Sequence, residues 1–239
     1  RDAILAHGGA KESNVFTRIT LALFGLVPWR ATPVTRIEVL FAPKWFPLHL
    51  NKVSYWTRTV TVPLLILTAL RPQAKNPRNV SLDELFTKSR FEEDYRIKNP
   101  TGHWLGSLMT VLDRLAWPFE KYIPNYFVNR GIARAMNFIT ERLNGEDGLG
   151  GIFPAMANAL MAFDALGIPK DHPNVITARK AIEKLLIFQD DEAYCQPCLS
   201  PVWDTGLAAH AMLEADKASG PHAIEDDTIA KSCNWLEEL

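Results

Sequence analysis

Two related units in the C-terminal half constrain the fold of this chain most strongly. The runs Gly150–Met156 and Gln196–Gly206 each join a tight turn of Gly, Pro or Ser to an aromatic residue and a helix of small side chains. A loop, a histidine and a second helix follow each unit. An αα-hairpin of this kind cannot bury its own apolar faces, so it must stack against neighbouring hairpins. Stacked hairpins form a superhelical solenoid or a closed α/α barrel, and the small side chains of the first helices favour the inner ring of a barrel.

The rest of the sequence also follows the helical period, and alternating strand patterns are scarce. Asn14 is placed to cap a helix. One face of that helix carries Phe16, Ile19, Leu23 and Phe24. The apolar stretch 53–70 predicts a buried helix, and Ser81 with Glu84 forms a capping-box signature that opens a short one. Two further helices are predicted over Ile176–Phe188 and Thr228–Leu239.

Composition and charge exclude several classes of protein. The 239 residues carry a net charge of −1, and no block of Lys or Arg suggests nucleic acid. Three cysteines, an odd count, argue against a disulfide framework and for a reducing compartment. Cys195 and Cys198 have no second pair at zinc spacing, so we interpret them as part of a plain turn. The uninterrupted apolar run from Val60 is too short to span a bilayer.

Two acidic doublets invite a magnesium–diphosphate interpretation. Asp190-Asp191 and Asp226-Asp227 each lack a further carboxylate one helical turn on, and each is predicted at a helix boundary. Helix-capping and surface roles are therefore the better interpretation.

Aromatic residues remain as the most informative side chains. The chain has 7 tryptophans and 12 phenylalanines, and Trp56, Phe153 and Trp203 stand beside turns. Core packing is the ordinary explanation, while a cavity walled by aromatic faces would stabilise a cation by roughly 0.5–2 kcal/mol per ring. The aromatic stretch 105–122 leaves two interpretations open, a core helix or a hydrophobic surface that enters a lipid interface.

Four runs together resemble the squalene-hopene cyclases. They are Ser13–Arg18, Ser54–Thr59, Gly148–Met156 and Ser200–Gly206, they stand in the order of that family, and the resemblance covers essentially the whole chain. It implies an all-α fold that forms part of a double α/α barrel, the α/α toroid of terpenoid cyclases, in a longer enzyme of which this chain is an interior fragment. It also implies that residues 1–188 belong to the first barrel domain and residues 189–239 begin the second.

The resemblance assigns roles to individual residues. The substrate cavity is expected to be lined by Phe16, Trp56, Ile152, Phe153, Pro154, Trp203 and Asp204. Trp203 faces the cation with Asp204 supporting it, and Ile152 and Pro154 lie near the position of final proton loss. The substrate channel is expected near Val53 and Thr61. Membrane contact is expected at Leu108, Leu112, Leu115, Trp117 and Phe119.

Two departures from the family pattern matter. Phe153 stands where some members have a glutamine that orders water, which weakens any prediction of water-mediated termination there. The proton-donating Asp-x-Asp-Asp motif does not occur in the 239 residues. We therefore predict no catalytic acid in this fragment and no activity of the fragment alone.

The activity implied by the resemblance is acid-initiated polycyclisation of squalene to hopene or hopanol, without a metal or an organic cofactor. The implied partners are squalene, the membrane surface and a second copy in a homodimer, without nucleic acid. The implied location is the cytoplasmic face of the inner membrane, with monotopic attachment. The alternatives are an oxidosqualene cyclase and a helical-repeat scaffold of the tetratricopeptide kind. Irregular repeat length and nearly uncharged inner faces argue against the scaffold.

Overall fold

A computed structural model describes residues 1–33, 36–46, 49–96, 99, 102–116, 118, 122–143, 145–198, 200–219 and 226–238. The α-helices in this part are α1 (Asp2–Ala6), α2 (Val15–Leu23), α3 (Tyr55–Leu70), α4 (Trp104–Ala116), α5 (Asn125–Thr140), α6 (Phe153–Ala165), α7 (Pro173–Lys184), α8 (Pro201–Ser219) and α9 (Asp226–Glu237). Short 3-10 turns and one two-stranded hairpin complete the described structure. The predicted all-α class is confirmed.

Helix α3 lies at the centre of the main core. Ser54 caps its start, since the Ser54 Oγ accepts a hydrogen bond from the Thr57 N–H at 3.2 Å. Val62 and the run Leu64–Leu67 are buried, as predicted for this stretch. Helices α5 and α6 both pack against α3. Close packing with α6 is possible because its facing positions, Ala155, Ala159 and Ala162, are small and fully buried.

Helices α3 and α6 run in the same direction. Near the start of α3, Thr59 contacts Gly150 in the 3-10 turn Leu149–Gly151, which leads into α6. The last turns of α2, α3 and α6 meet at the opposite end, where they line a cavity of about 460 Å³. The starts and the ends of α3 and α6 therefore lie at opposite ends of the bundle, and the last turn of α2 lies at the cavity end.

The predicted αα-hairpins are present. Helix α6 packs on α7, and α8 packs on α9. His172, which follows the loop after α6, caps α7 by accepting a hydrogen bond from the Asn174 N–H at 3.2 Å. The small-residue helices and their partners thus form the repeated unit that the sequence indicates.

The structure corrects four local predictions. Helix α7 ends at Lys184, before Phe188, because the chain turns into strand β1 (Leu186–Gln189), which pairs antiparallel with β2 (Glu192–Cys195). The Asp190-Asp191 doublet forms the hairpin turn, not a helix boundary. The capping-box signature at Ser81 opens only a 3-10 turn, Asp83–Leu85. Helix α2 ends at Leu23, so Phe24 lies outside the predicted face, and of the other three Ile19 and Leu23 are buried while Phe16 is exposed.

A second, smaller core forms between α2 and the segment around Phe86, and an ion pair between the partly exposed Lys11 and the buried Glu93 supports it. The Lys11 ammonium lies 2.8 Å from one Glu93 carboxylate oxygen. The other oxygen accepts hydrogen bonds from the Thr87 hydroxyl at 2.7 Å and the Lys88 N–H at 2.9 Å. Burial by itself raises the pKa of Glu93, but these donors outweigh it, and the pKa lies below its ordinary value. Glu93 is therefore a structural anion that ties two distant segments together.

Candidate functional site

Four of the residues predicted from the resemblance lie in the first turns of four helices. Phe16 and Trp56 are the second residues of α2 and α3, Phe153 is the first of α6, and Trp203 is the third of α8. Their side chains are 55%, 48%, 39% and 63% exposed, respectively. We call this set the aromatic helix starts. Because α3 and α6 run in the same direction, the rings of Trp56 and Phe153 stand at the same end of the bundle.

The two repeated units contact each other directly. The Phe153 N–H donates a hydrogen bond of 2.9 Å to the Pro197 carbonyl oxygen. The adjacent residues Ile152 and Cys198 form an antiparallel bridge. These contacts fix the segment that leads into α8 beside the start of α6. The sequence signals the similarity of the two units but not this pairing, which joins residues far apart in the chain.

A close backbone approach fixes the start of α3 against the turn before α6. The Thr59 side chain is fully buried, and its hydroxyl donates to the Trp56 carbonyl oxygen at 2.9 Å. A Cβ atom added to Gly150 would lie 2.6 Å from Thr59 Oγ1, so only glycine fits there. Trp56 and Phe153 thus belong to two helix starts that are locked together.

The remaining predicted cavity residues surround these starts. Ile152 packs against the main core, and Pro154 stands exposed in the first turn of α6. Asp204 is exposed in the first turn of α8, where its N–H donates to the Ser200 carbonyl oxygen at 2.8 Å. A carboxylate is favourable there because the helix dipole places partial positive charge at the N-terminus.

The predicted channel residues lie just before the start of α3 and near its middle. Val53 immediately precedes the capping residue Ser54 and is partly exposed. Thr61 lies farther along α3 and is half-buried. The end of the bundle that carries Trp56 and Phe153 therefore also carries Val53, while Thr61 lies near the middle of α3.

The expected membrane-contact residues lie on or just after α4. Leu108, Leu112 and Leu115 are exposed, together with Val111 between them. Their spacing puts them on one apolar stripe of the helix. Trp117 and Phe119 lie outside the described residues. Within the described part of the chain, no helix combines the length and hydrophobicity needed to cross a bilayer.

The 460 Å³ cavity is a separate feature at the other end of the bundle. Its lining includes Leu23, Leu67, Leu160 and Ile168, with Arg179 at the side of α7. None of the residues predicted from the resemblance lines it. The two ends offer different environments, since one presents exposed rings and the other an apolar recess with charged groups.

The chemistry of the aromatic end follows from its composition. The rings offer π-faces that attract positive charge, and Asp204 is the carboxylate in the predicted set. The residues that the structure describes include no group of three or more His, Cys, Asp or Glu placed to hold a metal ion. Such a surface can stabilise a cation without offering many groups that would accept a proton from it.

Comparison with known proteins places the chain among terpene cyclases. Residues 1–191 match the family model of the squalene-hopene cyclase N-terminal domain. A squalene–hopene cyclase of Bradyrhizobium diazoefficiens is 51% identical over 222 residues, which cover 91% of this chain and 34% of that protein. A squalene–hopene cyclase of Zymomonas mobilis is 49% identical, over 99% of this chain and 36% of the relative. A dammaradiene synthase of Dryopteris crassirhizoma is 31% identical over 89% of this chain and 31% of its own length. The chain thus spans about a third of the length of these relatives.

Proposed function

Because the chain belongs to the squalene-hopene cyclase family, we propose that it is part of a triterpene cyclase that converts squalene to hopene or hopanol. The chain contributes one wall of the substrate cavity, and the rest of a longer polypeptide closes that cavity. The relatives named squalene–hopene cyclase at about half identity support this assignment.

The observation that carries the proposal is the set of aromatic helix starts. Trp56 and Phe153 stand at one end of two parallel helices, and the bridge from Ile152 to Cys198 holds the approach to α8 beside them. Large rings that are up to 63% exposed in this chain are suited to a surface that the rest of the protein covers.

The mechanism divides between this chain and the rest of the protein. An alkene is a very weak base, so its protonation requires a strong acid. An aspartic acid kept protonated by its surroundings in another part of the polypeptide supplies that proton, since the Asp-x-Asp-Asp motif is not in these 239 residues. The rings of this chain then offset the positive charge as it moves through a water-poor cavity.

The finer assignments follow from the same family. Val53 and Thr61 line the route by which squalene enters, and Ile152 with Pro154 lies near the site of final proton loss. The exposed stripe of α4 enters the lipid interface at the cytoplasmic face of the inner membrane, and the enzyme forms a homodimer. The chain contributes to two barrel domains, which meet near residue 188. The apolar character of squalene favours a surface attachment of this kind, because the substrate resides in the bilayer.

A product assay tests the proposed function. We expect the complete polypeptide that contains this chain to convert squalene into pentacyclic products, read by mass spectrometry as an isomer of squalene and its water adduct. Oxidosqualene is supplied in a parallel reaction. Cyclisation of oxidosqualene without consumption of squalene would replace the proposal with the oxidosqualene cyclase alternative.

A further inference from the structure

Helix α5 carries an exposed basic stripe that the proposed reaction does not use. Tyr126, Arg130 and Arg134 follow one another at intervals of four residues, so they lie on one face of the helix. All three are exposed. The opposite face of α5 is buried through Gly131, Ala135 and Ile139. We call the exposed face the arginine stripe.

Aromatic contacts hold the two guanidinium groups in place. Arg130 and Arg134 stand 6.0 and 5.7 Å from the centroid of the same ring, Phe41. Arg130 Nη1 also donates to the Tyr126 hydroxyl at 3.2 Å. Stacking on a ring orients a guanidinium while leaving its N–H groups available to an anion. Two like charges are thus held close together on one surface.

Neighbouring carboxylates do not neutralise the stripe. Glu38, on the segment that packs against α5, is bound through both oxygens by Arg36, at 3.0 and 3.1 Å. Glu141, just beyond α5, pairs with Arg142 at 2.8 Å. In the described residues, neither Arg130 nor Arg134 forms an ion pair with a carboxylate. The stripe therefore presents unneutralised positive charge on a chain whose net charge is −1.

The stripe closely follows the expected membrane-contact residues along the chain. Residues 117–124 join α4, with its exposed apolar stripe, to α5. The rings of Tyr122, in this connection, and of Tyr126 and Phe127, in the first turn of α5, are exposed. Aromatic side chains of this kind prefer the boundary between hydrocarbon and headgroups. With a helical rise of about 1.5 Å per residue, Arg130 and Arg134 stand about 6 and 12 Å beyond Tyr126 along the helix. Both therefore reach a headgroup layer about 5–8 Å thick when α5 lies oblique to the bilayer.

We propose that the arginine stripe binds the phosphate groups of anionic phospholipids, so that the enzyme attaches more tightly to anionic than to neutral membranes. The proposal rests on the membrane attachment assigned to α4. The apolar stripe of α4 supplies attachment to any bilayer, and Arg130 with Arg134 adds the preference for anionic lipid. Arginine suits this role because its planar fork binds two phosphate oxygens at once.

Vesicle binding tests the proposal with the complete polypeptide. The fraction of the polypeptide that sediments with vesicles is measured for the wild type and for the double variant Arg130→Gln/Arg134→Gln. One set of vesicles contains phosphatidylcholine alone, and the other contains phosphatidylcholine with phosphatidylglycerol. We expect the variant to bind the anionic vesicles at least about tenfold more weakly, since each basic residue near an anionic surface contributes several-fold. Binding to neutral vesicles is expected to stay the same. The control variant Arg179→Gln/Lys180→Gln removes the same charge from α7 and is expected to behave as wild type.

The outcomes separate this proposal from the one on which it rests. A wild-type protein that binds neither vesicle would overturn membrane attachment itself. If the wild-type protein binds anionic vesicles and the Arg130→Gln/Arg134→Gln variant binds them equally tightly, the role of the stripe alone would be overturned. A dimer that dissociates in this variant, with unchanged vesicle binding, would assign the stripe to a second copy and also overturn the proposal.

Discussion

Replacing Trp203 with leucine in the complete cyclase is expected to lower kcat for squalene by at least about 30-fold. The indole offers the strongest cation–π partner among the side chains, and in a desolvated site one such ring stabilises a cation by about 2 kcal/mol. A loss of that size in the transition state corresponds to a factor of about 30 in rate. The rate is measured under saturating squalene, so that a change in substrate binding does not enter.

Two companion variants separate the cation role of Trp203 from a structural one. Trp203→Phe keeps a ring and is expected to recover most of the lost rate, while Trp235→Leu removes a partly exposed indole from α9 and is expected to leave the rate unchanged. Trp203→Leu should also increase the share of incompletely cyclised products, because a cation without its ring loses a proton earlier. Wild-type rate and products in Trp203→Leu would show that the ring does not face the cation.

The largest expected effect on stability comes from Gly150→Ala. Gly150 has φ of +68°, which costs a residue with a Cβ roughly 1–2 kcal/mol. The added Cβ would also lie 2.6 Å from Thr59 Oγ1 and 3.1 Å from its Cβ, and overpacking of this kind costs about 1–3 kcal/mol. We therefore expect a loss of about 2–5 kcal/mol in the free energy of unfolding, measured by urea denaturation of the same polypeptide for every variant.

Gly167 provides a matched control for this substitution. Its φ is +70°, but a Cβ added there meets no atom within 4 Å. Gly167→Ala therefore isolates the backbone cost and is expected to lose only about 1–2 kcal/mol. The double variant Gly150→Ala/Thr59→Ala removes Oγ1 and should recover part of the difference. Equal losses for the two single variants would mean that the contact between α3 and the turn before α6 is not tight.

The parts of the fold that the sequence predicts are those with local causes. Asn14 and Ser54 cap α2 and α3 through contacts three residues along the chain, at 2.9 and 3.2 Å, and such contacts are visible as residue patterns. The burial of α3 follows from its almost uninterrupted apolar run. The αα-hairpins follow from two similar units that each need a neighbour to cover an apolar face.

The sequence does not predict the hairpin of β1 and β2, because its signals are weak. Ile187 and Phe188 continue the apolar spacing of α7, so they look like helix, and the turn lacks the glycine that marks most two-residue hairpins. Asp190 takes φ of +47° instead, which aspartate tolerates better than most residues. A pattern that suits helix and strand equally cannot show where one ends.

The candidate site likewise combines features that the local sequence predicts with features that depend on contacts between distant segments. Trp56, Phe153 and Trp203 stand beside turns in the sequence, so their places at helix starts could be predicted. The bridge from Ile152 to Cys198 and the approach of Gly150 to Thr59 could not, since they join segments about 46 and 91 residues apart in the chain. The cavity at the opposite end of the bundle also depends on packing between distant segments.

Mapping where squalene lies in the complete cyclase tests the central claim most directly. A squalene analogue that carries a photoreactive diazirine is bound and irradiated, and the labelled residues are identified by mass spectrometry of peptides. The aromatic helix starts predict labels at Trp56, Phe153 and Trp203, competed away by excess squalene. Labels confined to Leu23, Leu160 and Ile168, around the cavity at the other ends of the helices, would contradict the claim.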